Sequence, residues 1–360
     1  MNPLSFGTVI SLWAAVALSP CSASPQELTN GRGDVEVRGK ELFRDGRPWL
    51  PHGYYQIAFE VAPANLARVD HQFWRTAQEL FSAQEYTEMR RAGADTVRIQ
   101  ISQAGADPQS PIFDANFLNN AIHAVRTARD VGLTVIICVQ GESHVPGARN
   151  LDLPGPGTRR VWTQIAPLFA TDHGVMFELL NEPVPQANPQ NWSLWKSAMT
   201  ETLQTVRGTG ASNVVIADGL GTGQVLEGAP LLGDPQVAYA SHPYALQQHG
   251  QTREAWDEKF GAFARHAPVI ITEWHFGGYF CNAKTPVATV EFLHYLQDHR
   301  IGVVVGTWDW APAGFGNARW GFPDGKFSTF AGRSCHEPGY GLGRTIESWY
   351  KTGRLPDLPE

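Results

Sequence analysis

The chain has 360 residues, of which 42% are hydrophobic, and its formal net charge is −7. This length and composition supply the core of one large domain or of two ordinary ones, and they exclude a chain that is disordered throughout. Acidic and basic residues are mixed along the sequence, so it offers neither a basic stripe for nucleic acid nor a polybasic patch for a membrane surface, and a neutral or polar small molecule is the expected partner.

The N-terminal segment has the pattern of a secretory signal peptide. Residues 1–23 contain an apolar stretch of about ten residues that leads to small residues around Ala23. We therefore predict cleavage near Ala23 and a secreted or periplasmic protein; lipid anchoring at Cys21 is the alternative, which Pro20 disfavours. No later stretch is apolar over the roughly 20 residues of a membrane span, so we predict no stable membrane insertion.

Strand and helix patterns alternate along the rest of the chain. Asp45 and Gly46 predict a β-hairpin, which is followed by an interior strand over 49–55. Ser82, with Glu85 three residues later, predicts the start of the first helix. Helices are predicted over 82–94, 114–131, 159–169, 192–206, 253–266, 286–299 and 345–350. Short apolar strands are predicted over 95–102, 133–139, 175–180, 213–218, 236–241, 269–273 and 302–308.

The strand count indicates the fold class. The eight short strands are separated mostly by helices and are apolar along their length, as strands buried on both faces of a parallel sheet are. We predict an α/β fold, a closed (β/α)8 TIM barrel with an N-terminal β-hairpin, as one domain over 34–360. A doubly wound sheet would have fewer strands and an early phosphate-binding loop, whereas the Gly-rich segment 219–223 comes late and lacks the GxGxxG spacing.

In such a barrel the active site forms at the carboxyl ends of the strands, so the polar residues there are candidates. They are Arg98, Asn181, Glu182, His242, Tyr244, Glu273 and Trp308, with Gln140 or His144 after the third strand. Glu182 and Glu273 end the fourth and seventh strands and are expected to face one cavity. Two such carboxyl groups are what cleavage of a glycosidic bond requires, about 5–5.5 Å apart for retention of configuration and farther apart for inversion.

Three short segments that contain these candidate residues together resemble a known family. FELLNEP (177–183), SHPY (241–244) and ITEW (271–274) look like the retaining glycoside hydrolases of family 5 in clan A, the cellulase and mannanase group. The resemblance covers nearly the whole chain after the signal peptide. It implies that Glu182 is the acid/base, that Glu273 is the nucleophile and that Asn181 donates a hydrogen bond to the sugar 2-hydroxyl.

The other matched positions have supporting roles under this resemblance. Arg98 is expected to hold Glu273 ionised, and Tyr244 to donate a hydrogen bond to the same carboxylate. His242 is expected to position the carboxylate pair or to exchange a proton with it. Trp308 is expected to stack beneath the sugar that is bound next to the scissile bond.

Two features stay open at this point. The family often carries a histidine at the tip of the third strand, where this chain has Gln140, with His144 four residues later, and which of the two lines the site is undecided. A disulfide between Cys281 and Cys335 is plausible in an exported protein, and Cys138 is expected to be a packed core thiol.

The sequence thus predicts an exported, monomeric glycosidase that acts on a polysaccharide or oligosaccharide without metal or cofactor. β-1,4-Glucan is the first expected substrate, β-mannan the second and a short oligosaccharide cut by exo action the third, with endo and exo action both left open. One alternative is a noncatalytic carbohydrate-binding barrel. The other is a metal-dependent barrel hydrolase that uses His242, His275 and Asp309, although no CxxC or HExxH motif supports zinc.

Overall fold

The computed structural model of the chain describes residues 33–69, 82–143, 145–244, 252–274, 285–306, 308, 318–319, 322–323 and 343–357. The predicted signal peptide lies outside the described residues, as do His144, His275, Cys281, Asp309 and Cys335. Predictions that concern these positions therefore stay predictions. Within the described ranges, the structure contains no helix with the length and apolar character that a membrane crossing needs.

A three-stranded antiparallel sheet precedes the barrel and consists of β1 (Val35–Arg38), β2 (Glu41–Arg44) and β3 (Arg47–Trp49). The predicted hairpin joins β2 to β3 through Asp45 and Gly46, whose φ angles of 50° and 73° are those that a tight two-residue hairpin turn needs. The apolar side chains of this sheet share a core with the lower interior of the barrel, so the sheet covers the N-terminal end of the barrel.

Eight parallel strands close into a barrel, which confirms the predicted fold class. They are β4 (His52–Phe59), β5 (Thr96–Ser102), β6 (Thr134–Gln140), β7 (Val175–Glu178), β8 (Val215–Asp218), β9 (Val237–Ala240), β10 (Val269–Trp274) and β11 (Gly302–Val305). Each strand pairs with the next along the chain, and β11 pairs with β4 to complete the ring. A two-stranded antiparallel ribbon follows, formed by β12 (Ala318–Arg319) and β13 (Phe322–Pro323).

Helices connect the strands and cover the outside of the barrel. They are α1 (Ala83–Arg91), α2 (Gln103–Ala106), α3 (Ala115–Asp130), α4 (Pro156–Ile165), α5 (Pro189–Gly208), α6 (Arg253–Trp256), α7 (Ala262–Ala264), α8 (Thr285–Asp298) and α9 (Gly343–Thr352). Short 3₁₀ helices occupy Pro63–Arg68 and Ala166–Phe169. The helix predicted over 253–266 is instead divided by a π-helical turn at Asp257–Gly261.

The side chains of each strand alternate between the helix layer and the barrel interior. On β5, Val97, Ile99 and Ile101 belong to the large core beneath the helices, whereas Arg98 and Gln100 point inward and bond to other interior side chains. The lower interior is apolar, and the polar inward residues lie towards the carboxyl ends of the strands. This polar upper layer is where the predicted site residues meet.

Candidate active site

Six of the seven predicted site residues come together at the carboxyl end of the barrel. Hydrogen bonds connect them into one network, directly or through Glu178 and Thr272: Arg98, Asn181, Glu182, His242, Tyr244 and Glu273. One carboxylate oxygen of Glu182, one of Glu273 and one ring nitrogen of His242 all lie within 4.8 Å of one another. The two carboxyl groups therefore face the same space, although they come from strands far apart in the chain.

An irregularity in β10 turns Glu273 into the barrel. Between Ile271 and Trp274, β10 advances by three residues while its partner β11 advances by two. A β-bulge of this kind lets consecutive side chains point to the same face of a sheet. Thr272 and Glu273 consequently both bond to interior side chains, and Trp274 is buried on the outer side among residues that pack against the helices.

Arg98 is the central cation of the site. Its side chain is fully buried, and Nε and Nη2 donate to the two oxygens of Glu178 at 2.7 and 2.9 Å. Nη1 donates to Oε2 of Glu273 at 2.8 Å, and Nη2 also donates to Oδ1 of Asn181 at 2.6 Å and to Sγ of Cys138 at 3.2 Å. Burial opposes ionisation of Glu178, but the Arg98 charge outweighs it and holds the pKa of Glu178 well below its usual range. Glu178 is thus a permanent counterion inside the barrel.

Glu273 is held in its ionised form. Its Oε2 accepts hydrogen bonds from Arg98 and, at 2.9 Å, from Nε2 of Gln100, and its Oε1 accepts one from the hydroxyl of Tyr244. Burial raises the pKa of this carboxyl group, but Arg98, the His242 charge and the Tyr244 hydrogen bond together lower it below its ordinary value. A buried carboxylate that stays charged is suited to nucleophilic attack.

Glu182 has the opposite tendency. Burial and the nearby Glu273 charge raise the pKa of Glu182 above its ordinary value, and the hydrogen bond with His242 only partly offsets this rise. Oε1 lies 3.1 Å from Nδ1 of His242, and Oε2 accepts a hydrogen bond from Nδ2 of Asn150 at 3.1 Å. The backbone φ of Glu182 is 51°, a left-handed conformation that costs a non-glycine residue roughly 1–2 kcal/mol. The two glutamates are therefore tuned to different protonation states.

His242 links Glu182 to the buried anions. Thr272 donates its hydroxyl hydrogen to Glu178 at 2.9 Å, so its oxygen accepts from Nε2 of His242 at 2.8 Å. This network assigns a hydrogen to Nε2 and leaves Nδ1 facing Glu182. Burial disfavours the imidazolium, but the surrounding carboxyl groups, of which Glu178 is held ionised by Arg98, outweigh burial and raise the pKa of His242 to about 10. His242 is therefore a cation whose Nδ1–H points at the Glu182 carboxyl group.

Replacing Arg98 by lysine should impair the site more than it impairs the fold. A lysine keeps the charge but cannot donate to Glu178, Asn181 and Glu273 together, so we expect kcat/KM to fall about 10²-fold because of misplaced reacting groups. The pKa of Glu273 should rise, which moves the acidic limb of the pH–rate profile to higher pH. The matched control is Arg129→Lys, since Arg129 makes a similar fork to Asp172 away from the site. An acidic limb at the wild-type pH in Arg98→Lys would contradict this assignment.

Gln140 and Trp308 are placed differently from the six networked residues. Gln140 is fully buried and accepts a hydrogen bond from Gln100 at 2.6 Å, so within the described part of the chain it reaches Glu273 through Gln100. Trp308 is 2% exposed, its indole N–H donates to Glu85 at 2.8 Å, and its ring lies 4.9 Å from that of Tyr54. Stacking of Trp308 on a sugar stays a prediction.

Several contacts in the network were not expected from the sequence. Gln100 could have been found, because it lies two residues beyond Arg98 on the same face of the same strand. Asp218 could also have been found, because it is the polar last residue of a predicted apolar strand. Thr272 points inward by ordinary alternation from Ile270, so it too could have been found. Asn150 lies in a loop without regular periodicity, so no local pattern indicated it.

Two groups among the described residues bring three potential metal ligands together. They are Glu178, Asp218 and His242, and Glu182, His242 and Glu273. A metal needs a deprotonated imidazole nitrogen, whereas Nε2 of His242 carries a hydrogen and Nδ1 faces Glu182. Arg98 also places its own positive charge 2.8 Å from Glu273. These donors therefore fit a proton-sharing network better than a metal centre.

The sequence is similar to that of one described protein family and of a relative from Ruminococcus albus. The family model described as cellulase, glycosyl hydrolase family 5, matches residues 58–314. Endoglucanase A of Ruminococcus albus is 25% identical over 252 residues, which cover 59% of this chain and 68% of that protein.

Two solved structures share the fold. The β-glucanase SdGluc5_26A from Saccharophagus degradans, in complex with cellotetraose, superposes with a TM-score of 0.61 at 18% identity and covers 81% of this chain and 90% of its own. A thermostable and highly halotolerant family 5 cellulase from an Icelandic hot spring isolate superposes with a TM-score of 0.63 at 15% identity and covers 94% of this chain and 99% of its own.

Proposed function

The chain belongs to glycosyl hydrolase family 5, the cellulase family, and we propose that it hydrolyses β-1,4-glucan with retention of configuration at the anomeric carbon. One observation carries this proposal. The carboxyl groups of Glu182 and Glu273 approach within 4.8 Å of each other, and the pKa of the first is raised while that of the second is lowered. A proton donor and a charged nucleophile at that spacing are what a retaining glycosidase needs.

In the first step, the ionised Glu273 attacks the anomeric carbon while Glu182 protonates the departing glycosidic oxygen. Tyr244 and Arg98 hold the two oxygens of Glu273, which fixes the direction of its attack. Arg98 also donates a hydrogen bond to the amide oxygen of Asn181, so the Nδ2 group is the end of the Asn181 side chain that is available to a sugar hydroxyl.

In the second step, Glu182 acts as a base towards water, which attacks the glycosyl–Glu273 intermediate. Ionised Glu182 is then stabilised by the Nδ1–H of His242 and by the amide of Asn150. Bonding of Glu273 to the sugar removes its negative charge, which lowers the pKa of Glu182 and favours the base form at this stage. One residue can therefore serve as acid and then as base.

The spacing of the carboxyl groups supports retention rather than inversion. Inverting glycosidases hold the two groups about 6.5–9.5 Å apart to admit a water molecule, whereas retaining ones hold them about 5–5.5 Å apart. One oxygen of Glu182 lies within 4.8 Å of one oxygen of Glu273, and this close approach favours the shorter class.

The proposed substrate class follows from the relatives. Endoglucanase A is a relative by sequence, and a related β-glucanase fold binds cellotetraose. We therefore place β-1,4-glucan first and β-mannan second. Internal cleavage is proposed ahead of release of terminal sugars, in keeping with the endoglucanase relative.

A panel of defined β-glycans tests this function. We expect the wild-type enzyme to release reducing sugar from cellotetraose and soluble β-1,4-glucan more efficiently than from β-mannan, with the β-anomer as the first product seen by NMR. Activity should be unchanged by a chelator, because the reacting groups are carboxyl groups. Binding of β-glycans without release of reducing sugar would favour the noncatalytic barrel, and a first product in the α form would contradict the retaining mechanism.

A further inference from the structure

Asp218 is a buried carboxyl group to which the mechanism above gives no role. It is the last residue of β8, it is fully buried, and it points into the polar upper layer of the barrel. Its Oδ2 accepts the backbone N–H of Glu182 at 3.0 Å and lies 3.6 Å from Nε2 of His242. The Asp218 carboxyl group therefore contacts the main chain of the acid/base Glu182 directly. It also lies close to His242, which contacts the Glu182 side chain.

The contact with the main chain falls where the backbone is strained. Glu182 has a φ of 51°, and a residue with a side chain keeps such a left-handed conformation only when its surroundings hold it there. The hydrogen bond from its N–H to Asp218 is one of the contacts that hold it. The direction in which the Glu182 carboxyl group points depends on this conformation.

The loop that follows β8 holds the same segment from another side. The N–H of Gly221 donates to the carbonyl of Pro185 at 2.8 Å, and that of Thr222 donates to the carbonyl of Pro183 at 2.9 Å. Gly223 has a φ of 74°, and a Cβ there would lie 3.0 Å from Nδ1 of His242. The Gly-rich segment 219–223 thus packs closely against the acid/base and its histidine.

The chemical state of Asp218 suits an uncharged role. Burial and the neighbouring Glu178, which is held ionised by Arg98, raise the pKa of Asp218 well above its ordinary value. Oδ1 is buried and has no hydrogen-bond partner among the described residues. A protonated carboxyl group offers one acceptor and one donor, as an asparagine amide does.

We propose that Asp218 is a positioning residue, an inference that rests on the proposed function. Asp218 holds the left-handed backbone of Glu182 so that the carboxyl group of Glu182 points at the leaving oxygen. The role needs the acceptor oxygen of Asp218 and not its charge. Loss of that oxygen should therefore weaken proton donation and leave the attack by Glu273 intact.

Two substrates separate these steps. Hydrolysis of cellotetraose requires proton donation to a poor leaving group, whereas 2,4-dinitrophenyl cellobioside has a leaving group that departs without a proton. For Asp218→Val we expect kcat/KM to fall about 10²-fold on cellotetraose, as for a misplaced catalytic group, and by less than about 3-fold on the dinitrophenyl substrate. Asp218→Asn keeps the acceptor and should stay within about 5-fold of wild type on both substrates.

Asp95→Val is the matched control. Asp95 also accepts a backbone N–H, that of His52 at 3.0 Å, but at the opposite end of the barrel. The Asp95→Val variant should have a lower melting temperature, but the ratio of kcat/KM on cellotetraose to kcat/KM on 2,4-dinitrophenyl cellobioside should not change.

Equal losses on both substrates in Asp218→Val, or an Asp218→Asn variant as impaired as Asp218→Val, would overturn the inference while the proposed function stands. A wild-type enzyme that turns over neither substrate would overturn the proposed function and the inference with it.

Discussion

Glu273→Ala is expected to lower kcat/KM on cellotetraose by at least about 10⁴-fold, because the variant lacks the proposed nucleophile. The fold should survive this change. Arg98 keeps its two-point ion pair with Glu178, so removal of Glu273 leaves no buried cation without a partner. The measurement is steady-state kinetics together with a melting curve, which should show a folded protein with a cooperative transition.

Azide shows whether the lost group was the nucleophile. In Glu273→Ala the small anion can occupy the space of the carboxylate and attack the anomeric carbon of 2,4-dinitrophenyl cellobioside. Turnover should then return, and the product should be the glycosyl azide of inverted configuration. The matched control is Glu142→Gln, since Glu142 lies at the same end of the barrel but bonds to Ala62, Asn65 and Ser102. Wild-type-like turnover of Glu273→Ala without azide would remove the proposed mechanism.

Glu182→Ala is expected to depend strongly on the leaving group. On cellotetraose, kcat/KM should fall about 10³-fold, within the range that general acid catalysis contributes. On 2,4-dinitrophenyl cellobioside, kcat/KM should stay within about 10-fold of wild type, because that leaving group needs no proton. Azide should raise kcat on this substrate and give a glycosyl azide of retained configuration, since the anion attacks the intermediate in place of activated water. A uniform loss on both substrates would contradict the acid/base role.

The pH dependence of the wild-type enzyme and of a second variant, Glu182→Gln, checks the assignment independently. Glu182 donates only when it is protonated, so wild-type kcat/KM on cellotetraose should fall as the pH rises through the raised pKa of Glu182. Glu273 attacks only when it is ionised, so kcat/KM should also fall as the pH drops through the lowered pKa of Glu273. Glu182→Gln should lose the alkaline limb and keep the acidic limb. An alkaline limb that persists in Glu182→Gln would have to come from another group.

Much of the fold could be read from local patterns. Continuous apolarity in short segments indicated strands buried on both faces, and the alternation with helices led to the eight-stranded barrel that the structure has. The boundaries of the strands were less certain: the fourth predicted strand, 175–180, ends at Glu178, and the residues after it leave the ladder before Glu182. The polar residues at the strand ends could also be found from local sequence, because a polar residue interrupts an apolar run.

The sequence allowed the residues of the candidate site to be predicted, but not the contacts that these residues make with one another. Position at a strand end selected Glu182 and Glu273, yet strict alternation from Thr272 would have turned Glu273 towards the helices. The bulge in β10 decides its direction, and the bulge depends on pairing with β11. Asn150 reaches Glu182 from a loop, where no periodicity exists to indicate a partner.

The sequence by itself determined the barrel, the end of the barrel at which chemistry is possible and the two glutamates that stand there, since each of these follows from periodic burial or from a short run of neighbouring residues. Only the tertiary structure decided that Glu182 is strained and held by Asp218, that Nε2 of His242 donates to Thr272, and that Arg98 pairs with Glu178 as well as with Glu273. These properties depend on distances and low-dielectric surroundings shared by residues from different strands, and no local segment of the chain contains that information.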